Sequence, residues 1–211
     1  MEKPLLDFLN SCPERIKTNF IEDFVNQGEY IVHQEDEPEY VYFLIKGKVK
    51  VFRMEPNGIN YLEYIYTDYE MFGEIEIINN RKILANVVAD SNCNLLKLNK
   101  HSFFEWMKLD ENFSHYVIHQ ISDKLYDACI NSTVNIIYPL KYRVLYFLRR
   151  RLDISVSRIP KEEILESIGG RMRSFNRVLN ELSDDKIIQQ ENGDIIICDR
   201  EKLIEEMKKN E

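Results

Sequence analysis

The spacing of apolar residues along the chain changes from one stretch to the next. Up to about residue 25, Leu5, Leu6 and Leu9, then Ile16, Phe20 and Phe24, recur in steps of three and four, which predicts two short helices broken at Pro13. From Gly28 to Leu98 the rhythm shortens to brief apolar runs: Tyr30–Val32, Val41–Ile45, Val49–Phe52, Tyr61–Tyr66, Ala85–Ala89 and Leu95–Leu98. Turn-forming clusters such as Lys46-Gly47-Lys48, Pro56-Asn57-Gly58 and Asp90-Ser91-Asn92 separate them, so the stretch reads as an antiparallel barrel or jelly roll. Pro56-Asn57-Gly58 predicts a hairpin, because Asn and Gly tolerate positive φ. Met71 to Ile78 interrupts the strands and predicts a short helix entered at Gly73.

Helical spacing returns after Lys100. His101–Met107 forms one short helix, and Phe113, Val117, Ile121, Leu125, Ala128 and Ser132 then mark a narrow seam along a long one. Either a second copy of the chain or the chain's own core can cover such a seam, and the helix's length favours a second copy. Pro139 ends this helix and starts the next, which carries Tyr142, Leu145, Tyr146 and Leu148. Beyond it, Pro160 opens a helix with Ile164, Leu165 and Ile168 inward, and Gly169-Gly170 turns the chain. Arg171 to Leu182 predicts a second helix with Phe175, Val178, Leu179 and Leu182 inward and Arg171, Met172, Arg173, Asn176, Arg177 and Asn180 outward. Asn192-Gly193 between Ile187–Glu191 and Asp194–Ile197 signals a hairpin, and a helix from Arg200 to Lys208 closes the chain. Helix, turn, helix and two-stranded wing is the layout of a winged helix-turn-helix. The expected fold is α+β: a β-roll sensor (1–107), a dimerisation helix (108–137) and a winged helix-turn-helix (138–211).

Charge sharpens this picture. The formal net charge is −8, yet residues 138–177 hold ten basic against four acidic residues, about +6, which leaves about −14 elsewhere. A basic module on an acidic body suits a chain in which one region meets phosphate. The major groove admits an α-helix, and Arg and Asn make paired hydrogen bonds to guanine and adenine edges. The expected DNA contacts are therefore Arg171, Met172, Arg173, Ser174, Asn176 and Arg177, with Arg171 at a phosphate. A protein-pairing winged helix is the alternative. Cys12, Cys93, Cys129 and Cys198 are scattered and read as reduced, mostly buried thiols; no cofactor and no metal are expected. No apolar run approaches the roughly 20 residues of a membrane span, and no secretory signal is evident, so a cytoplasmic protein without membrane contact is expected. The sequence shows no nucleotide-binding glycine loop, HExxH or nucleophile elbow, and Glu74 with Glu76 reads as a solvated helix face, so no enzymatic activity is expected.

The segments YVYFLIKGKVKVF from Tyr40, FGEIEIINN from Phe72, ILANVVADSNCNLLKL from Ile83 and ESIGGRMRSFNRVLNELSDDKII from Glu166, in this order, resemble the Crp/Fnr family of bacterial transcription regulators. The resemblance implies a cyclic-nucleotide-binding-type β-roll, a homodimer through Phe113, Val117, Ile121, Leu125, Ala128 and Ser132, a palindromic operator, and RNA polymerase as a further candidate partner. It also implies an effector pocket formed by Phe72, Gly73, Glu74, Ile83, Leu84, Ala85, Leu125, Ala128 and Cys129. In nucleotide-binding members a Gly-Glu pair holds the ribose, and Gly73-Glu74 match it. An Arg-Ser/Thr-Ala motif holds the phosphate, but Ile83-Leu84-Ala85 lack that Arg, and Ala128-Cys129 replace a Thr-Ser pair. Cyclic AMP is therefore not the expected effector, which stays unknown. The alternatives are a cyclic nucleotide held by Glu74 and Arg81, or a constitutive binder. An iron–sulfur site is not expected, since only Cys12 lies near the N-terminus, and His33, His101, His115 and His119 read as ordinary residues. Where family members carry a Glu in the recognition helix, this chain has Arg173, a pure donor, so an altered operator with guanine at that position is expected.

Overall fold

The computed structural model describes residues 4–56, 60–153 and 158–210, and the side chain of residue 153 lies outside that set. The chain divides into two compact units, Met1–Lys124 and Leu125–Glu211.

The first unit opens with helices α1 (Pro4–Ser11) and α2 (Glu14–Lys17). Strands β1 (Ile21–Val25), β2 (Tyr30–Val32), β3 (Tyr40–Lys46), β4 (Val49–Met54), β5 (Asn60–Tyr66) and β6 (Glu70–Phe72) follow. After helix α3 (Glu74–Asn79) come β7 (Asn86–Ala89) and β8 (Cys93–Asn99), then helix α4 (Lys100–Leu109) and the start of α5 (Glu111–Ile137). The strands form two antiparallel four-stranded sheets, ordered β1-β8-β3-β6 and β2-β7-β4-β5. The β4–β5 pairing, with Met54 opposite Asn60, makes the expected hairpin, although residues 57–59 of its turn lie outside the described set.

Two apolar cores hold this unit. Leu44, Val49, Phe72, Val87 and Leu95 belong to one, and Val41, Phe43, Met71 and Leu98 join Leu5, Ile16, Phe103 and Trp106 in the other. Strand β3 contributes to both, which explains why its sequence is nearly continuous in apolar residues rather than alternating. Gly47 between β3 and β4 has φ +119°, and a Cβ there would come within 2.7 Å of Asn92 O and Cys93 Sγ, so only glycine fits. Asn99 caps α4 by accepting from Ser102 N, and Asp110 caps α5 by accepting from Asn112 N and Phe113 N.

Three expectations change in this unit. Ile21–Val25 is not helical: it pairs with β8 from Ile21 opposite Lys97 to Val25 opposite Cys93, and Phe24 points outward. Tertiary pairing overrides a spacing that only resembled a helix. The three-residue strand β6 was too short to register in the pattern. Phe113 and Val117, expected on the dimer seam, are fully buried in the chain's own core, where the Phe113 ring stacks 3.7 Å from that of Trp106. The seam's spacing is real, but its first turns face inward.

The second unit contains the rest of α5, α6 (Leu140–Asp153), β9 (Arg158–Pro160), α7 (Lys161–Ile168) and α8 (Met172–Asp184). Strands β10 (Ile188–Glu191) and β11 (Asp194–Ile197) and helix α9 (Arg200–Lys209) complete it. Its core gathers Val134, Val144, Leu145, Leu148, Ile164, Phe175, Leu179, Leu182, Ile195 and Leu203. The wing turns at Asn192 (φ 51°) and Gly193 (φ 90°), as its Asn-Gly pair requires. It has a third strand that the sequence did not announce: β9 pairs with β11 through Ile159 opposite Ile195.

Replacing Phe113 by Ala tests the revised placement. Sensor stability is expected to fall by about 3–5 kcal/mol, as for a large buried aromatic side chain. Urea unfolding followed by the fluorescence of Trp106, the sole Trp of the chain, measures the loss. Sedimentation of the folded variant should show an unchanged assembly; dissociation without loss of stability would return Phe113 to an interface.

Candidate nucleic-acid interface and sensor site

Helix α8 is amphipathic in a strict sense. Phe175, Val178, Leu179 and Leu182 are buried, while Arg171, Met172, Arg173, Arg177 and Asn180 are exposed. Gly169 (φ 64°) and Gly170 (φ 130°) turn the chain between α7 and α8, in conformations that favour glycine. Arg171 is the N-cap of α8, extended at φ −91° with no side-chain capping bond, and the first turn holds no acidic residue. The positive end of the helix is thus unneutralised, beside a guanidinium, where it favours an anion. Among the described residues Arg171, Arg173 and Arg177 form no ion pair, so their donors are free to meet another molecule.

The asparagines behave differently. Asn176 is half-buried, and its Oδ1 is covered and has no hydrogen-bond partner among the described residues. Asn180 Oδ1 accepts from Gln190 Nε2 at 3.0 Å, and the same amide reaches Ser183 Oγ at 3.3 Å, tying β10 to α8. Ser174 is half-buried.

The basic surplus of residues 138–177 is only partly available. Arg150 donates to Asp127 Oδ2 and Asn131 Oδ1, both at 2.9 Å. Arg151 pairs with the buried carboxylate of Glu163 and lies 5.0 Å from the Phe147 ring. Arg158 bonds to Glu191, and Arg143 donates to Ile168 O at 2.9 Å, the last residue of α7. Lys141 bridges Glu181 on α8 and Glu206 on α9 at 2.6 and 2.5 Å. Lys141, Arg143 and Arg151 fix α7, α8 and α9 on α6, while Arg150 ties α6 to α5 and Arg158 joins β9 to β10, positioning roles invisible in a sequence where they read only as charge. Arg149 stays exposed.

In the first unit, the residues of the predicted pocket differ in burial and in backbone bonding. Gly73 enters α3 at φ +86°, and a Cβ would meet Tyr40 O at 3.1 Å. Glu74 is buried, not solvated as expected, and pairs with Lys124 Nζ at 2.8 Å. Phe72, Ile83 and Ala85 are buried and Leu84 is exposed. Ile83 has both backbone groups engaged, its carbonyl accepting from Glu35 N and its N–H donating to Asp36 O. Leu84 N–H points to Glu76 Oε1 at 3.4 Å, and Arg81 and Lys82 are exposed. Burial, reinforced by Glu74, pushes the Tyr66 hydroxyl well above its ordinary range. Leu125, Ala128 and Cys129 belong to the second unit and are exposed, as is Ser132, while Ile121 packs against the first unit's core. The thiols also divide: Cys12 and Cys93 are buried, with Cys12 pushed up to about 11 by burial, but Cys129 and Cys198 are exposed. Among the described residues no cluster of His, Cys, Asp or Glu could hold a metal ion, and no helix is long and apolar enough to cross a membrane.

The two units match two family models: a cyclic nucleotide-binding domain over residues 22–110 and a Crp-like helix-turn-helix domain over residues 142–206. The cyclic AMP receptor protein of Thermus thermophilus is 22% identical over 166 residues, covering 77% of each chain. A CRP-like cAMP-activated global transcriptional regulator of Mycobacterium tuberculosis is 23% identical over 185 residues, covering 82% of this chain and 83% of its own. A Crp/Fnr-family regulator from Eubacterium rectale superposes with a TM-score of 0.79 at 17% identity, covering 98% and 99% of the two chains. A CooA mutant from Carboxydothermus hydrogenoformans gives 0.79 at 18% identity, covering 96% and 95%. The chain belongs to the Crp/Fnr family: it is a Crp-like transcription regulator with a DNA-binding helix-turn-helix and a cyclic-nucleotide-binding-like sensor.

The Lys141 bridge predicts a stability profile for the second unit. Hydrogen bonds from Lys141 hold the Glu206 carboxyl below its ordinary range, with burial opposing. Burial lowers the Lys141 ammonium, but bonds to Glu181 and then Glu206 outweigh it and the net shift is upward. A depressed carboxylate gives stability that is present above pH 4.5 and lost as pH falls through the folded value. A raised ammonium gives stability that is present below pH 10.5 and lost as pH rises through its folded value. Melting of wild type and Lys141→Met across pH should therefore show the largest difference between those two limits, shrinking on both sides. A difference independent of pH would refute the bridge.

Proposed function

We propose that this chain binds a palindromic operator in duplex DNA as a homodimer, with α8 in the major groove. The observation that carries this reading is the outer face of α8: three exposed arginines with no ion-pair partner among the described residues, at a helix start without a side-chain cap. Arg171 suits a phosphate, and Arg173 and Arg177 suit guanine edges. The exposed apolar surface of the second half of α5, with Leu125, Tyr126, Ile136 and Ile137, supports dimerisation there, flanked by Ala128 and Ser132. The stretch from Ile136 to Pro139, where α5 ends and the chain turns into α6, is the hinge through which the sensor would adjust the paired recognition helices.

Cyclic AMP, which activates the mycobacterial relative by name, is not the effector in this reading. A buried phosphate needs a cation or converging N–H donors. Here Ile83 and Leu84 stand where the family has Arg and Ser or Thr, and the Leu84 N–H already faces a carboxylate. Such a regulator works in the cytoplasm, alongside RNA polymerase.

Selection of binding sites from random DNA is the test. The wild type should enrich a two-fold symmetric site with guanine opposite Arg173, and Arg173→Glu should shift that base with roughly a 10- to 100-fold loss on the original site. An unchanged preferred base would remove Arg173 from the interface. Affinity should also fall steeply with salt, and Arg171→Ala should reduce that slope by about one ion while leaving sequence preference intact. In calorimetry, cyclic AMP at about 1 mM should give no binding heat; saturable micromolar binding would restore the nucleotide reading.

A further inference from the structure

Glu74 is 1% exposed, a position where an unpaired carboxylate is costly. Its partner comes from α5. Lys124 Nζ lies 2.8 Å from Glu74 Oε1, donates to Met71 O at 2.9 Å, and sits 4.8 Å from the centre of the Tyr66 ring. A carboxylate, a carbonyl and an aromatic face together form a cage for an ammonium. Glu74 Oε2, also buried, has no hydrogen-bond partner among the described residues. Lys124 itself is 14% exposed, whereas Asp123 beside it is 63% exposed, so the ammonium is drawn into the unit rather than left on the helix surface.

We propose that the Lys124 ammonium is the resident ligand of the sensor. The site built by Glu74, Met71 O and Tyr66 is a cation site, selective for a primary ammonium, and its occupant is part of the chain. This rests on the reading that no cyclic nucleotide binds here. The charge balance agrees with it: Glu70 and Glu76 add to Glu74 in the field that acts on Tyr66, which suits a cation and repels a phosphate. The first half of α5 is thus fastened to α3 and β6 without any diffusible ligand.

A double-mutant cycle on the full chain tests the proposal, with sensor unfolding followed by Trp106 fluorescence. Lys124→Met and Glu74→Gln should each lower the midpoint by about 5–10 °C, since each strands a buried partner. The double variant should be no worse than the milder single one; losses that add would overturn the proposal. Ethylammonium chloride should recover part of the midpoint of Lys124→Ala in a saturable way. It should leave the wild type and Lys124→Ala/Glu74→Gln unmoved relative to sodium chloride at equal ionic strength. Equal effects of the two salts on Lys124→Ala would overturn the proposal. A third measurement needs no variant: nitrogen-detected NMR of the lysine ammonium groups should show one slowly exchanging signal at neutral pH, and its absence would count against the cage. Stabilisation of the wild type by cyclic AMP would defeat the reading beneath the proposal and the proposal with it. An additive cycle with cyclic AMP inert would defeat the proposal alone.

Discussion

The burial of one face of α8 governs what the rest of the second unit can do. Phe175, Val178, Leu179 and Leu182 recur at steps of three, one and three, which gathers them on one side of a helix turning 3.6 residues per turn. Burying four such side chains contributes roughly 1.5–3 kcal/mol each. A surface ion pair contributes about 0–1 kcal/mol. Packing therefore sets the rotation of α8, and that rotation turns Arg171, Arg173 and Arg177 to solvent whether or not they help the fold. Side chains the fold does not need are the ones a ligand can use.

The same distinction sorts the remaining basic residues. Lys141, Arg143, Arg150, Arg151 and Arg158 are each committed to partners inside the second unit. Arg143 meets the carbonyl that ends α7, and Lys141 meets carboxylates on α8 and α9, so they hold the frame in which α8 is presented. Of the basic residues between 138 and 177, those left exposed and outside an ion pair among the described residues are Arg149 and the three arginines Arg171, Arg173 and Arg177. On a chain of net charge −8, uncommitted arginines on one exposed helix face are the kind of surface that suits phosphate.

Much of this was legible in the sequence. The Asn192-Gly193 pair, the Gly169-Gly170 turn and the inward set of α8 are local signals, written in backbone chemistry and helical spacing, and the structure follows them. What failed depended on the third dimension. Ile21–Val25 became a strand because β8 offered an edge to pair with, and β9 exists because β11 does. Phe113 and Val117 share a spacing with Leu125, but a seam does not say which of its turns lies against the chain's own sheets. In the sensor, the family resemblance placed Ile83 and Leu84 at the expected phosphate-binding positions, whereas Lys124 is fifty residues from Glu74 and nothing in its neighbours announced the pair.

The central claim is that two copies of α8 occupy successive major grooves of one duplex. Hydroxyl-radical footprinting on a selected site measures this directly. The account predicts two protected patches on one face of the DNA, centred about 34 Å apart, both lost when Arg171, Arg173 and Arg177 are replaced together by Ala. A single unbroken patch, or protection that survives the triple replacement, would contradict it.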